Sequence, residues 1–202
     1  EASGPQINFS LPAGSDSLAA LQQEIVQLGE ENKRWMRLAG ISDITGLPNR
    51  VMLARVLLPG AFKQAAAHKE PLGCILISPE GLREINGKYG RLNGDAILKK
   101  FSDCLKELIR KGERLCHLEG VNFAVVVPRA LPHQLGKRAE VIHKELTSRR
   151  FDMEGGALSL EVSIGVAGME TPNSKSTKAL QDSLYRRSVE ALDVAKLQGN
   201  HI

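Results

Sequence analysis

The sequence predicts an α+β protein, an α/β sandwich in which helices flank a mixed central sheet, with a coiled-coil helix at the N-terminus. Three observations support this prediction. Near the N-terminus, apolar residues recur at spacings that alternate between three and four. Beyond Gly40, short apolar runs typical of buried strands alternate with longer helical patterns. Turns rich in Gly, Pro and Asn separate these segments, and no internal repeat is present.

Length and composition set the class of protein. The 202 residues, 42% of them hydrophobic, suffice for one globular domain and an appendage. No apolar run approaches the roughly 20 residues that cross a bilayer, so we expect a cytoplasmic protein or the cytoplasmic part of a longer, membrane-anchored one. Cys74, Cys104 and Cys116 lack C-x-x-C spacing and are predicted to be reduced core thiols. With 4% aromatics and a charge of +4, no nucleic-acid partner is expected.

The N-terminal segment divides into a linker and a helix. Residues 1–15 mix Pro, Gly and Ser and are predicted to be a flexible linker. Residues 16–40 are predicted to be a coiled-coil signalling helix that begins at an N-cap, Asp16 or Ser17. The heptad seam that would contact a second helix comprises Leu18, Leu21, Ile25, Leu28, Asn32, Trp35 and Ala39.

Asn32 occupies position a of this seam. A buried Asn is best satisfied by its twin across a parallel two-stranded coiled coil, so the pattern predicts a homodimer through the N-terminal helix. The alternative is a single amphipathic helix that packs on its own domain. Gly29 and a length of only about three heptads favour that alternative.

The first elements after Gly40 are a helix, a strand and a second, short helix. Asn49 is predicted to cap a helix that runs to about His68, with a kink or break at Pro59-Gly60. Residues 71–78 form a continuous apolar run, typical of a strand buried on both faces. A turn and a short helix follow, through Tyr89.

A long helix and a hairpin come next. Residues 93–112 place one apolar face on a helix, formed by Ile97, Leu98, Phe101, Leu105, Leu108 and Ile109. Residues 117–128 read as a hairpin with its turn at Glu119-Gly120. The remaining predicted elements are a helix over Pro132–Arg149, strands at Phe151-Asp152 and Ala157–Ala167, and a helix over Ser176–Gln198.

Four motifs between about Ile41 and His201 follow one another in an order that is known from one family. "ITGLPNR" looks like LTGLxNR, "EINGKYGRLNGDAIL" like INDxxGHxxGDxxL, "LEVSIGVA" like a strand before the last helix, and "ALDVAKLQGNH" like ALYxAKxxGRN. With these motifs, residues 41–202 resemble the GGDEF domain of bacterial diguanylate cyclases, which condense two GTP molecules into cyclic di-GMP. The resemblance implies a nucleotidyl-cyclase-like sheet flanked by helices.

The resemblance also identifies a turn that binds metal in the family. There, a D-x-D-x-F-K turn after the first sheet strand holds Mg²⁺ on the triphosphate. The matching residues are Ser78-Pro79-Glu80-Gly81-Leu82-Arg83, so a hydroxyl replaces the leading carboxylate. A divalent cation bound through phosphates requires one or two protein carboxylates. Glu80 keeps one negative charge, but Pro79 restricts the backbone beside it.

The GGDEF signature itself aligns with residues 119–123, Glu-Gly-Val-Asn-Phe. Glu119 introduces an anion where the family has a glycine close to phosphates. Val121 and Asn122 replace the two acids that bind metal and assist deprotonation of the attacking 3′-hydroxyl, and neither can serve as a carboxylate ligand or general base. We therefore expect no catalytic residues, no metal site and no cofactor, with Mg²⁺ present only if GTP still binds. The hairpin should persist as a packed element through Leu115, Phe123, Val125 and Val127.

Three positions match nucleotide-binding residues of the family. Asn86 and Asp95 match its guanine-reading pair, and Lys196 matches a lysine that contacts phosphate. The arginine companion of that lysine is Asn200 here, which weakens the predicted phosphate contact. As alternatives, Asn86 caps a turn, Asp95 caps the helix that follows Gly94, and Lys196 is simply solvated.

A product-binding inhibitory site, R-x-x-D in the family, matches Arg110-Lys111-Gly112-Glu113. A guanidinium can bind phosphate or guanine with two hydrogen bonds, and Glu can replace Asp as the acceptor. The second arginine expected from the neighbouring helix aligns with Val141, although Arg138 lies one turn earlier on a similar face. The alternative is that Arg110 and Glu113 form a solvated helix end and turn.

Together these features predict a catalytically inactive, dimeric GGDEF-like domain, a signal-transduction module in cyclic di-GMP signalling that receives its input from an upstream sensor domain. One alternative is a nucleotide receptor that binds GTP at Asn86 and Asp95 or cyclic di-GMP at Arg110 and Glu113. A second alternative is residual cyclase activity that uses Glu80. An EAL-type phosphodiesterase domain downstream is a common arrangement in the family.

Overall fold

The computed structural model describes residues 15–153, 156–172, 178–198 and 202. The chain divides between Ala39 and Gly40 into two compact units. The elements in chain order are α1 (Ser15–Leu38), α2 (Arg50–Met52), a π-helical segment (Leu53–Leu57), α3 (Leu58–His68), β1 (Leu72–Pro79), α4 (Leu82–Tyr89), α5 (Arg91–Leu108), β2 (Arg114–His117), β3 (Phe123–Pro128), α6 (Pro132–Ser148), β4 (Phe151–Met153), β5 (Gly156–Leu158), β6 (Val162–Met169) and α7 (Lys178–Gln198).

Three predictions fall wholly or partly outside the described residues. These are the linker over residues 1–15, of which the structure describes only Ser15, in α1; the start of the last helix at Ser176; and Asn200, the replacement for the family's arginine. Within the described part of the chain, no helix combines the length and the apolar character needed to traverse a bilayer.

The stalk helix α1 forms as the heptad pattern predicts, with a different start. Asp16 and Ser17 already lie inside the helix, so neither is its N-cap. At the other end, Leu38 is the last helical residue, and Ala39, the predicted final seam position, lies just beyond it. The backbone N–H of Ala39 still donates to the Trp35 carbonyl at 2.8 Å.

Asn49 caps α2, as predicted. Its side chain accepts hydrogen bonds from two backbone N–H groups of the first turn. The helix does not break at Pro59. Instead it widens just before this residue, in the π-helical segment 53–57, which is followed directly by α3. Proline has no N–H to donate, and the π segment accommodates the missing bond without ending the helix. The helix then ends at His68.

The central sheet has four strands in the order β2-β3-β1-β6. The α+β class and the flanking helices are confirmed, but the expected mixed pairing needs a correction, because all neighbouring strands of this sheet are antiparallel. The reason lies in the connections. The parallel strands β1 and β2 are joined through α4 and α5, and β3 is inserted between them. In the same way, β1 lies between β3 and β6, which are joined through α6.

The two faces of the sheet carry separate apolar cores. Ile75 and Ile77 of β1 point to a core shared with α5 and α6, while Cys74 and Leu76 point to a core shared with α3 and α7. Burial on both faces explains the continuous apolar run of this strand. The hairpin residues predicted to serve the core lie in the first cluster, namely Leu115, Phe123, Val125 and Val127.

Two predicted boundaries differ from the structure. The long helix ends at Leu108 rather than near Gly112, because Ile109 takes an extended conformation with ψ 129°. The single strand expected over Ala157–Ala167 is two strands: β5 pairs with β4 in a separate two-stranded sheet, and β6 joins the central sheet. Leu160 lies between β5 and β6. Its side chain is buried, 3% exposed, and packs in the core shared with α5 and α6.

The cysteines are free thiols in the described part of the chain. Cys74 and Cys116 are buried, as predicted, and Cys104 is half-buried. Burial raises the pKa of Cys74 to about 11 and that of Cys116 to about 12. Both therefore stay protonated at neutral pH and pack as small apolar side chains.

Candidate functional site

The end of β1 is the turn that would hold metal in the resembled family. Ser78 is buried, 1% exposed, and pairs in register with Ser163 of β6. The backbone N–H of Glu80 donates to the Glu161 carbonyl at 2.8 Å. One carboxylate oxygen of Glu80, Oε1, is buried without a hydrogen-bond partner. Glu80 therefore lies at this turn with one carboxylate oxygen that makes no hydrogen bond within the described structure.

Residues 118–122, which we call the signature turn, connect β2 to β3. The Leu118 N–H donates to the Asn122 carbonyl at 2.7 Å, and Gly120 has φ 70°, which favours glycine. Val121 packs against the core shared with α5 and α6. The side-chain oxygen of Asn122 is buried without a partner. Glu119 is exposed and forms an ion pair with Arg50 at 3.3 Å.

The donor set of these two turns does not fit a magnesium ion on a triphosphate. Where the metal would require carboxylates, the chain has a buried hydroxyl at Ser78, an isopropyl group packed in the core at Val121, and an amide at Asn122. Across the described residues, no group of three or more His, Cys, Asp and Glu side chains converges as a metal site. Glu80 supplies a carboxylate in the turn after β1, and the carboxylate of the signature turn, Glu119, pairs with Arg50.

Residues 40–49, which we call the proximal turn, contact the end of β2, just before the signature turn. Its Ser42 is buried, and the hydroxyl lies 2.7 Å from Nδ1 of His117 at the end of β2. The His117 backbone N–H donates to the Pro48 carbonyl at 2.9 Å. On the other side of the ring, Nε2 lies 3.1 Å from the Gly120 carbonyl. His117 therefore stands between the two turns.

The predicted guanine-reading residues, Asn86 and Asp95, lie in the neighbouring helices α4 and α5. Asn86 is exposed in α4, and its side chain lies so close to Gly94 that a Cβ there would approach Oδ1 to 1.8 Å. Asp95, the next residue, is half-buried and lies 3.9 Å from the exposed Arg91. The capping alternatives are wrong, because Asn86 lies inside α4 and α5 begins at Arg91. The structure places the exposed residue Asn86 against Gly94, the residue before Asp95.

Lys196 lies near the end of α7, away from any described partner. Its side chain is exposed, and it makes none of the described hydrogen bonds or ion pairs. This geometry agrees with the solvated alternative. One turn earlier in the same helix, the Leu192 backbone packs closely against β6. Gly165 of that strand has no side chain and leaves room for it.

The predicted inhibitory-site residues divide into a buried pair and one exposed cation. Nε and Nη2 of Arg138 each donate to a carboxylate oxygen of Glu113 at 2.9 Å, and both side chains are 5% exposed. The Arg110 backbone N–H also donates to Glu113, at 2.8 Å, while the Arg110 side chain is exposed. Glu113 is therefore not a solvated turn residue. Both oxygens of Glu113 are occupied by Nε and Nη2 of Arg138, and the exposed side chain of Arg110 is the more accessible cation of the three residues.

Burial alone would raise the pKa of Glu113, and the hydrogen bonds from Arg138 and from the Arg110 backbone outweigh that effect. The net result is a pKa below the ordinary value of a glutamate. The ionised carboxylate is thus part of the folded structure at neutral pH.

A family model, "Diguanylate cyclase, GGDEF domain", matches residues 39–201, which include the turns described above. The chain belongs to the GGDEF family. The match includes the proximal turn, the signature turn and the residues of α4, α5 and α7 described above.

Similar proteins include a sequence relative and solved GGDEF structures. An uncharacterized membrane protein of Staphylococcus haemolyticus is 30% identical over 160 residues, which cover 78% of this chain and 43% of the relative. The chain thus spans less than half of that relative. The coiled coil and GGDEF domain of DgcB from Caulobacter crescentus, solved with c-di-GMP, has a TM-score of 0.70 at 21% identity, covering 90% of this chain and 93% of that one.

A second similar structure was solved with a protein partner. The diguanylate cyclase SiaD from Pseudomonas aeruginosa, solved with its activator SiaC, has a TM-score of 0.70 at 19% identity. The match covers 91% of this chain and 71% of that chain. At these identities the two solved structures describe the fold of this chain.

Sequence reasoning missed three residues of this region: Ser42, His117 and Arg50. Ser42 and His117 are 75 positions apart, and Arg50 and Glu119 are 69 apart, so no local spacing relates them. Gly94 was visible as part of a motif, but its close contact with Asn86 required the packing of α4 on α5.

Proposed function

We propose that this chain is the regulatory, catalytically inactive GGDEF domain of a dimeric signalling protein in cyclic di-GMP signalling. The observation that carries the proposal is the donor set at Ser78, Val121 and Asn122, none of which is a carboxylate. Phosphoryl-type transfer depends on positioning and on neutralising phosphate charge, and both functions would be missing. Glu80 is the acid of the turn after β1, and Glu119 of the signature turn pairs with Arg50, so neither carboxylate replaces both functions.

The test is magnesium-dependent turnover of GTP by the whole chain, with cyclic di-GMP detected by mass spectrometry. An active diguanylate cyclase serves as the positive control. The expected result is no product above a sample without protein, with Mg²⁺ or with Mn²⁺. Product formation that disappears in Glu80→Gln would establish the residual-cyclase alternative and end the proposal.

We further propose that α1 forms a parallel homodimer. Four seam residues are 57–70% exposed in the single chain, namely Leu18, Ile25, Leu28 and Trp35. A continuous apolar stripe on a 24-residue helix is typical of a helix that buries it against a partner. The input would then reach the domain through this helix, from an upstream sensor or from a protein partner such as the activator solved with SiaD.

The seam can be tested against a matched position on the same helix. Ile25 lies on the seam and is 68% exposed, whereas Val26 lies off the seam and is 66% exposed. We expect Ile25→Asp to convert a dimer to a monomer in light scattering, and Val26→Asp to leave the dimer intact. A wild-type monomer, or equal effects of the two substitutions, would contradict the dimer.

Nucleotide binding is the second candidate function. The exposed amide of Asn86 beside Asp95 supports it, because an amide and a carboxylate can together read the edge of a guanine. Calorimetry with GTP, with and without Mg²⁺, tests it. Asp95→Asn should abolish the heat of binding, whereas Asp103→Asn, an exposed position on the same helix, should not. Binding of cyclic di-GMP is tested in the same way, by calorimetry with the wild type and with Arg110→Ala.

The cellular setting is part of the same proposal. The S. haemolyticus relative is named a membrane protein and is more than twice as long as the matched region. We propose that this chain is the cytoplasmic portion of a longer protein with a sensor upstream. Whether an EAL-type domain follows is answered by the full-length reading frame.

A further inference from the structure

His117 contacts both turns through both ring nitrogens. Nδ1 lies 2.7 Å from the Ser42 hydroxyl of the proximal turn, and Nε2 lies 3.1 Å from the Gly120 carbonyl of the signature turn. The ring also stacks on Phe123, the first residue of β3, with centroids 4.8 Å apart. Among the described residues, His117 is the ring side chain that hydrogen-bonds to both turns.

These partners determine the tautomer. A carbonyl oxygen can only accept, so Nε2 must carry the proton and donate to Gly120. In the neutral ring Nδ1 is then an acceptor, and the Ser42 hydroxyl must donate to it. The Ser42 oxygen in turn accepts a longer bond from the Thr45 N–H, at 3.3 Å. A neutral ring satisfies every one of these groups.

The surroundings favour the neutral ring. His117 is 3% exposed. Burial lowers its pKa and is the largest influence; the bond to Gly120 and the charges of Asp43 and Asp95 act in the opposite direction. Neither carboxylate is among its hydrogen-bond partners.

Other charged groups near the two turns have partners elsewhere. Glu119 of the signature turn and Arg50 of α2 pair with each other at 3.3 Å, both exposed. Lys106 of α5 approaches the Thr45 carbonyl at 3.5 Å and pairs with Asp103 at 2.7 Å. None of them replaces the ring as a connection between the turns.

We propose that His117 is a positioning residue that couples the proximal turn to the signature turn, and that a second proton on its ring uncouples them. Protonation at Nδ1 removes the acceptor of the Ser42 hydroxyl, so this hydrogen bond must reverse, with Nδ1 donating to an oxygen that already accepts from the Thr45 N–H. It also places a charge in a buried site whose partners suit a neutral ring. The contact that the ring makes between the two turns would then weaken, while the bond from the His117 backbone N–H to the Pro48 carbonyl stays in place. Because the proximal turn follows the stalk helix in sequence, this coupling specifies how an input could reach the former active site. That last step rests on the proposed function.

Two backbone amides report on the two turns separately. The Leu118 N–H donates to the Asn122 carbonyl inside the signature turn, and the Gly46 N–H donates to the Ser42 carbonyl at 2.9 Å inside the proximal turn. Their hydrogen-exchange rates in the whole chain, measured by NMR, show whether the turns open together. The ¹⁵N shifts of the His117 ring give its tautomer and protonation in the same sample.

Ser42→Ala removes the hydroxyl that donates a hydrogen bond to Nδ1 of the His117 ring. We expect the exchange rate of the Leu118 amide, on the far side of the ring, to rise about 5-fold, the effect of losing one hydrogen bond of ordinary strength. The matched control is Ser102→Ala, which removes another buried hydroxyl, bonded to the Lys99 carbonyl at 2.7 Å in α5. It should leave the Leu118 amide unchanged.

The wild-type protein provides a second, independent measurement over about pH 8 to about pH 4, a range that brackets the ordinary histidine pKa. We expect the proton on Nε2 near neutral pH, and protection of both amides to fall together as the ring gains its second proton. A proton on Nδ1 near neutral pH, or a Leu118 amide indifferent both to Ser42→Ala and to ring titration, would overturn the proposal. A monomeric or cyclase-active chain would contradict the proposed function and leave this coupling intact.

Discussion

At the scale of single residues, a side chain that the sequence matches to a ligand-binding position of the family has its partner within the protein. The best example is Glu113, which matches an acceptor of the family's inhibitory site. Here both of its oxygens bond to Arg138, and the pair is almost fully buried. A buried, bidentate pair holds the turn before β2 against α6, and it competes with any ligand for the same donors and acceptors.

Glu113→Gln should lower the free energy of unfolding by about 3–5 kcal/mol at neutral pH, because it leaves the buried charge of Arg138 uncompensated. Urea denaturation gives the value. Glu107→Gln is the control, since Glu107 pairs with Arg149 at 3.0 Å but both side chains are exposed; its cost should stay below about 1 kcal/mol. Equal costs for the two substitutions would show that the buried pair is not a stabilising contact.

The same pair predicts a dependence on pH. The pKa of Glu113 is lowered in the folded state, so its contribution is complete above the ordinary glutamate pKa of about 4.3 and is lost as pH falls through the lower, folded value. The stability difference between the wild type and Glu113→Gln should therefore shrink in acid. Denaturation at about pH 7 and about pH 3 measures it, and a difference independent of pH would contradict the assignment.

At the scale of elements, the packing of α7 on β6 depends on Gly165. A Cβ at this position would meet the Leu192 backbone nitrogen at 2.2 Å and the Ser188 carbonyl at 2.4 Å. Backbone atoms cannot move aside without shifting the helix. On the same strand, Gly168 faces side-chain atoms of Leu135, which can change rotamer.

Gly165→Ala should therefore cost more than Gly168→Ala. We expect about 3 kcal/mol or more for Gly165→Ala, at the upper end of the range for overpacked cores, and about 1 kcal/mol for Gly168→Ala. Thermal or urea unfolding of the two variants provides the comparison. The interpretation fails if the order is reversed, because only the first substitution presses on backbone.

At the scale of the whole molecule, the chain consists of two units that meet at residues 39 and 40. The second unit contains both cores of the central sheet and the proximal turn. It therefore has the components of an independently folding domain.

We expect residues 40–202 alone to unfold within about 3 °C of the domain transition in the whole chain, a shift that corresponds to less than about 1 kcal/mol. The fragment should be monomeric at all concentrations, whereas the whole chain should be dimeric. Calorimetry and light scattering measure the two properties. A fragment that fails to fold would show that α1 is part of the domain.

The sequence by itself determined the elements and the family. The heptad spacing predicts α1, the cap at Asn49 predicts α2, and the apolar run before Ser78 predicts β1, because helix and strand periodicities and capping are local properties. The ordered motifs, including "ITGLPNR", predict the GGDEF family. The loss of carboxylates at the metal positions is also readable from the sequence, since it depends only on residue type.

Only the tertiary structure decided which side chains meet. It placed Arg138 on Glu113, Ser42 on His117 and Asn86 on Gly94, and it made every pairing in the central sheet antiparallel. Partners that are 25 and 75 positions apart come together through strand order and helix packing, and these depend on the whole core rather than on any local pattern. For this reason the candidate residues could be named from the sequence, but their present partners could not.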